Sequence, residues 1–270
     1  MSTRPDDRYT HGHHGSVLAS HRTRSAADSA AYLLPHLVPG LHLLDVGCGP
    51  GTITADLAES VAPGQVVALD REAAVLAEVE AVAAERELAN LATTVGDVYA
   101  LDYEDGTFDV VHAHQVLQHL TDPVGALREM RRVTKPGGLV AVRDADYAAM
   151  TWYPAEPRME RWLEVYRAVA RSNGAEPEAG RRLLSWTQAV GFASVEPSAS
   201  VWLFADPVRR GWWSETWAGR AVSSGMAAQA LEQGLSTRKE LGEIAAGWRE
   251  WAQRPDAWFS VVSGEILARR

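Results

Sequence analysis

The residues best placed to do chemistry in this chain are three glycines at alternate positions, Gly47, Gly49 and Gly51, directly behind the apolar run Leu43-Leu44-Asp45-Val46. Glycine takes positive φ without strain and has no Cβ, so backbone N–H groups at such a turn can close on a ligand. A helix expected after Gly51 would add its N-terminus, where unpaired N–H groups and the helix dipole attract electron-rich groups. The spacing reads GxGxG. A dinucleotide fingerprint, GxGxxG, needs glycine at position 52, where this chain has Thr52. Strand, glycine turn and helix in this order make a cradle for an adenosyl ligand, with Asp45, Gly47, Cys48, Gly49 and Gly51 as its candidate binding residues.

Four further segments follow in order. Val66-Val67-Ala68-Leu69-Asp70 is a β-branched run ending in a carboxylate, with Arg71 next to it. Thr94-Val95-Gly96-Asp97-Val98 is a second short run with an acid at its end, and Phe108 to Leu117 is an apolar strand with a polar end at His114 and Gln115. Leu127 to Asp144 reads as an amphipathic helix closed by Lys135-Pro136-Gly137-Gly138, then the strand Leu139 to Arg143. With "LLDVGCGPGT" as motif I, these matches span Leu43 to about Asp146. The chain resembles the class I methyltransferases that use S-adenosylmethionine, in the branch around the ubiquinone and menaquinone biosynthesis enzymes.

That resemblance implies S-adenosylmethionine as cofactor and assigns the residues that meet it. A carboxylate at the tip of the second strand accepts hydrogen bonds from both ribose hydroxyls, the part expected of Asp70. The resemblance places Asp97 at the adenine amino group and Val98 against its ring. It places the backbone at the end of the fourth strand, near His114 and Gln115, around the methionine portion. In similar enzymes the segment before the first helix folds over the cofactor, which makes Tyr9 and His14 candidates for enclosing it.

Transfer of a sulfonium methyl is an in-line displacement that chiefly requires alignment in a dry site. A general base adds rate for some acceptors, and histidine is the usual choice near neutral pH. His119 and His14 are the catalytic candidates; at His119 a structural or cofactor-orienting role competes with proton transfer. His11, His13 and His14 have spacing for two metal ligands, but without paired cysteines or an HExxH signature no metal is expected.

The elements that must position these residues alternate strand and helix, which specifies a doubly wound, mostly parallel α/β sheet of the Rossmann-like methyltransferase type, with seven strands expected. A helix is expected over Ser25 to Leu37, others over Thr54 to Ser60, Arg71 to Leu88, Met159 to Ser172 and Arg181 to Val190, and the last strands over Ser194 to Phe204 and Trp258 to Leu267. All 9 histidines precede residue 120 and all 10 tryptophans follow residue 150, so the second part contains something beyond the cofactor-binding sheet. The expected organisation is an N-terminal closing segment (1–24), a cofactor-binding core (25–150, continued at 181–206 and 257–270) and helical insertions at 151–180 and 207–256 forming a lid. Tryptophans there fit a large apolar or aromatic acceptor or simply pack helices onto the sheet. Trp152, Trp212, Trp213 and Trp217 are the better pocket candidates. Asp144, Tyr147, Trp152 and Trp213 are the candidate acceptor-binding residues, with Asp146 in the same loop.

The net charge of −9 disfavours nucleic acid as a partner, since that task normally needs a basic face. One cysteine, Cys48, suits a reducing compartment. No export signal and no apolar run of ~18 residues is visible, so a cytoplasmic protein without membrane contact is expected, as monomer or homodimer. The expected activity is methyl transfer from S-adenosylmethionine to a small apolar or aromatic molecule, with O, N or C acceptor open. A cyclisation or rearrangement on the same fold, or a non-catalytic cofactor-binding subunit, are the alternatives.

Overall fold

The computed structural model describes Asp7, Thr10 and residues 21–270. Parallel strands β1 (Leu43–Val46), β2 (Val66–Asp70), β3 (Leu91–Val95), β4 (Phe108–His114) and β5 (Thr134–Ala145) lie in the order β3-β2-β1-β4-β5, and β8 (Trp258–Arg269) runs antiparallel beside β5. β7 (Ser194–Phe204) pairs antiparallel along the outer side of β8. β1 is buried at every position, as a central strand covered on both faces must be.

The sheet has eight strands rather than seven. The additional one, β6 (Thr151–Tyr153), pairs with Trp258 to Ser260. The cause is the length of β8. β5 reaches only as far as Ser263, a single helical turn at Tyr147–Ala149 interrupts the chain, and β6 takes up the edge that remains.

Two other expectations are corrected. The segment 25–37 is not one helix but α1 (Ala26–Ser29) and a 3-10 turn at Leu34–His36. Ala30 leaves helical geometry at φ −137°, and Pro35 lacks the N–H a continuing helix needs. Lys135 to Gly138 does not separate helix from strand. α4 (Pro123–Val133) ends at Thr134, and these residues form the irregular start of β5, with Gly137 at φ +80° and a shift of register against Phe108.

Between the strands lie α2 (Thr52–Val61), α3 (Ala73–Glu85) and α6 (Ala179–Val190). A separate helical layer, α5 (Pro157–Ser172), α7 (Pro207–Ser223), α8 (Gly225–Glu232) and α9 (Arg238–Ala252), packs on the part of β8 beyond the reach of β5. Trp162, Trp217, Trp248 and Trp251 are fully buried there around Phe259. Trp162 meets Trp217 edge-on at 4.4 Å and Trp248 at 4.9 Å. Such contacts add about 0.5–1.5 kcal/mol each beyond area burial, so this layer has an aromatic core of its own.

Candidate functional site

Crossovers in a doubly wound sheet leave the carboxyl ends of the parallel strands open, and a cavity of about 1100 Å³ follows that edge. It is bordered in turn by Asp97 after β3, Asp70 at the end of β2, the turn after β1, His114 to His119 after β4, Tyr147 after β5, and Trp202 on β7. Its far end is closed by Trp213, Trp217 and Arg220 of α7.

The glycine turn is held from within. Gly47 N–H (2.7 Å) and Cys48 N–H (3.1 Å) donate to the Leu69 carbonyl, and Gly49 N–H donates to Asp70 Oδ2 at 3.1 Å. These amides are therefore engaged by the protein rather than presented to a ligand, contrary to the reading from the glycines alone. What the glycines supply is shape. Gly47 has φ +67°, and a Cβ there would stand 2.5 Å from Val116 Cγ2; at Gly51, φ +82°, it would stand 2.9 Å from Val79. At Gly49 the nearest atom would be 3.9 Å away, so that position borders open space. Cys48 lines the cavity, and burial raises its thiol pKa.

Asp70 accepts from Gly49 N and, at 3.1 Å, from Glu72 N. Each carboxylate oxygen has a second lone pair, so Asp70 retains acceptor capacity toward the cavity it borders. Arg71 also lines the cavity and donates to the Asp7 carbonyl at 3.0 Å, while Asp7 Oδ1 accepts from Thr121 N at 2.8 Å. Asp97 accepts from Tyr99 N at 3.0 Å, and Val98 is buried beside it. Asp45 borders the cavity too, but its oxygens are taken by His112 Nδ1 (2.7 Å) and Thr54 Oγ1 (2.5 Å), so it braces β1 against β4. Gln115 is held at φ +56° with its N–H on the Arg143 carbonyl at 2.7 Å. A non-glycine residue in that region carries local strain, and such strain concentrates at functional sites.

His114 is buried in the cavity wall, 5.8 Å from the Trp202 ring, and neither ring nitrogen has a hydrogen-bond partner. Burial, then the charge of Arg143, pushes it well below the ordinary histidine pKa. His119 also lines the cavity; its Nε2 lies 2.9 Å from Gln118 Nε2, an amide that can only donate, so this ring nitrogen acts as acceptor. Burial, followed by Arg24, lowers His119 to about 3. A group so weakly basic is poorly matched to proton abstraction near neutral pH, and the orienting role suits it better.

Of the residues expected to bind an acceptor, Tyr147 and Trp213 line the cavity, stacked on Tyr166 at 4.1 Å and on Phe204 at 4.2 Å. Trp152 does not line it; it belongs to β6 and stacks on Phe259 at 5.6 Å. Asp144 is also absent from the wall. It is fully buried, accepts from Gln118 N at 3.1 Å, and is pushed up to about 8 by burial. Asp146 is bound to Arg181. Tyr9, His11, His13 and His14 lie outside the described residues.

Trp202, Arg220, Arg24, His21 and Gln118 are wall residues that the sequence reading did not name. In β7 the flanking Val201 and Leu203 are about half exposed, and period-two alternation turns Trp202 between them the other way; the run Val201 to Phe204 is apolar throughout, so the sequence alone did not mark which face Trp202 takes. Arg24 and Arg220 gave no signal, because only the fold brings residues so far apart in sequence to one end of the cavity.

The open space beside Gly49, the acceptor capacity of Asp70 and a volume sufficient for two ligands fit an adenosyl cofactor with a second molecule. The methyltransferase-domain family model matches residues 37–191, more than half of the chain. An uncharacterized methyltransferase of Schizosaccharomyces pombe is 32% identical over 281 residues, covering 99% of both chains. A demethylmenaquinone methyltransferase of Beutenbergia cavernae is 32% identical over 58% of this chain and 64% of its own. Among solved structures, YcgJ of Bacillus subtilis superposes with a TM-score of 0.60 over 89% of this chain and 97% of its own, at 15% identity, a likeness of fold. The chain belongs to the class I S-adenosylmethionine-dependent methyltransferases.

Proposed function

We propose that this methyltransferase acts on a small molecule with an extended apolar or aromatic framework, seated at the end of the cavity opposite the adenosyl site. The observation that supports it is the convergence of Trp202, Trp213, Trp217, Tyr147 and Met150 on that end. Aromatic walls reward flat apolar ligands through burial and ring contacts.

The cofactor supplies a methyl group on a sulfonium, already activated for displacement by an acceptor lone pair. The residues of this chain bind and align. Asp70 holds the ribose, Asp97 and Val98 the adenine, and the backbone at His114 and Gln115 the methionine portion. Tyr147 and the indoles exclude water and fix the acceptor. The neutral imidazole of His119, orienting through Gln118, contributes no positive charge that would repel a cationic cofactor.

Incubation with methyl-labelled cofactor and a panel of aromatic and aliphatic acceptors tests the reading. Label is expected in an aromatic small molecule, with Trp213→Ala raising KM more than it lowers kcat. Cofactor binding with no labelled product from any acceptor would favour cyclisation or rearrangement, or a non-catalytic subunit. Label appearing only in nucleic acid or protein would contradict the proposal.

A further inference from the structure

Met150, Trp202, Trp213 and Val261 give the cavity wall toward β7 and α7 an apolar, largely aromatic surface. Set into the same wall are polar atoms that have no hydrogen-bond partner among the described residues: both ring nitrogens of His114, Oε1 of Gln118 and Nε1 of Trp213. These side chains are nine-tenths or more buried, with His114 exposed by 8%, Gln118 by 3% and Trp213 by 6%. A buried donor or acceptor left unpaired has lost its hydration with nothing in exchange, so such groups are rare and call for a partner that folding alone does not supply.

The backbone fixes where these groups stand. Along β4, Val111 and Ala113 pack into the core with α4, and alternation sends His114, the last residue of the strand, to the other face. Parallel pairing sets His114 opposite Arg143 of β5, and Gln115, pinned to the Arg143 carbonyl, closes the strand behind it. Gln118 lies on the single turn Leu117–His119 that follows, with its backbone N–H on Asp144 Oδ1 and its amide nitrogen 2.9 Å from His119 Nε2. Trp213 is held by its stack on Phe204. The chemistry of the set is complementary to one kind of group. Burial and the charge of Arg143 keep the His114 ring uncharged, so it offers an N–H and a lone pair, while Gln118 Oε1 only accepts and Trp213 Nε1 only donates. An ether or ketone oxygen would leave Gln118 Oε1 unmet, and a bare ring would leave every one of these atoms unmet. A hydroxyl both donates and accepts.

We propose that His114 is a specificity-determining residue for the substrate, its imidazole hydrogen-bonded to a hydroxyl on the substrate's aromatic ring, with Gln118 Oε1 and Trp213 Nε1 as further partners for hydroxyls on that ring. This rests on the reading of the cavity as a methyl-transfer site for an aromatic small molecule. Desolvated polar groups select through what the wrong ligand leaves unpaired: an analogue without the hydroxyl covers His114 and Gln118 and satisfies neither. The role is one of binding, and no proton transfer is asked of the imidazole.

Calorimetry on the full chain saturated with S-adenosylhomocysteine tests this, using phenol, 1-naphthol and 2-naphthol, each beside the aryl fluoride of the same ring, which keeps the shape and removes the O–H. At least one hydroxyl compound is expected to bind roughly tenfold or more tighter than its fluoride, the scale of a good hydrogen bond. His114→Phe, which keeps a ring and removes both nitrogens, is expected to abolish most of that advantage, and His114→Asn, which can still hydrogen-bond, to retain more of it. Hydroxyl compounds and fluorides binding alike, or an advantage that His114→Phe leaves intact, would overturn the proposal. So would a His114→Phe protein that melts as the parent does but loses S-adenosylhomocysteine affinity, because the imidazole would then serve the cofactor. The hydroxyl–fluoride comparison on the unaltered protein stands even if neither variant folds. Failure of every ring compound to bind would instead strike the aromatic reading beneath the proposal, and absence of S-adenosylhomocysteine binding the methyl-transfer reading.

Discussion

Asp70 has two duties, and both rest on one carboxylate. Its carboxylate fixes Gly49 N and Glu72 N and, in the proposed site, also receives the ribose. Asp70→Ala is expected to weaken S-adenosylhomocysteine binding by roughly 1.5–3 kcal/mol, the scale of hydrogen bonds to a charged group, measured by calorimetry. Gly49 offers a sharper contrast with Gly47. Gly49→Ala adds a methyl toward open space at φ +55°, so the protein should fold with a strain cost of about 1–2 kcal/mol yet bind the cofactor poorly. Gly47→Ala meets Val116 at 2.5 Å and should lower the melting temperature more. The sequence alone located these glycines through their spacing. That their amides would be claimed by Leu69 and Asp70 depends on how β2 sits beside β1, which spacing does not contain.

Asp144 is a buried carboxyl whose protonation is coupled to folding. Unfolded, its carboxyl ionises near the ordinary aspartate value of 3.8; folded, it holds its proton to about 8. The native state therefore binds a proton that the unfolded chain has released. Stability from this group is complete below pH 4 and declines as pH rises to about 8. Asp144→Asn, which keeps an acceptor for Gln118 N, should flatten that decline in urea titrations at pH 5 and pH 8. An unchanged slope would assign the proton elsewhere.

At the scale of elements, the short strand β6 is a brace and the helix α7 a wall. Trp152 stacks on Phe259 but does not line the cavity, so Trp152→Ala should lower the denaturation midpoint by an amount equivalent to roughly 1–3 kcal/mol, with KM unchanged. Trp213→Ala should instead act on KM. Both tryptophans follow residue 150 and both were candidates for the pocket on composition. Their separation follows from pairing: Trp152 is fixed opposite Phe259 by a long-range antiparallel register, whereas Trp213 sits on a helix one turn from Trp217. Strand β7 was legible at both ends, Ser194 and Phe204, because its β-branched and aromatic run is local. The three residues of β6 were not, because only the unpaired edge of β8 makes them a strand.

Across the whole molecule, the parallel sheet supplies an open edge and the aromatic helical layer turns that edge into a cavity with two chemically different ends. Among the described residues no helix is long and apolar enough to cross a membrane. The order of strands explains why residues as distant in sequence as Arg24, His114 and Arg220 line one space, and why the family resemblance, confined to Leu43 to about Asp146, was silent on the acceptor end. The account is tested most directly by a crystal structure with bound S-adenosylhomocysteine. It predicts the ribose hydroxyls within hydrogen-bonding distance of Asp70, the adenine beside Asp97 and Val98, and the sulfur directed toward the space between His114 and Tyr147. Density for the ligand among the indoles of α7, or at any position that leaves Asp70 without a ribose contact, would contradict it.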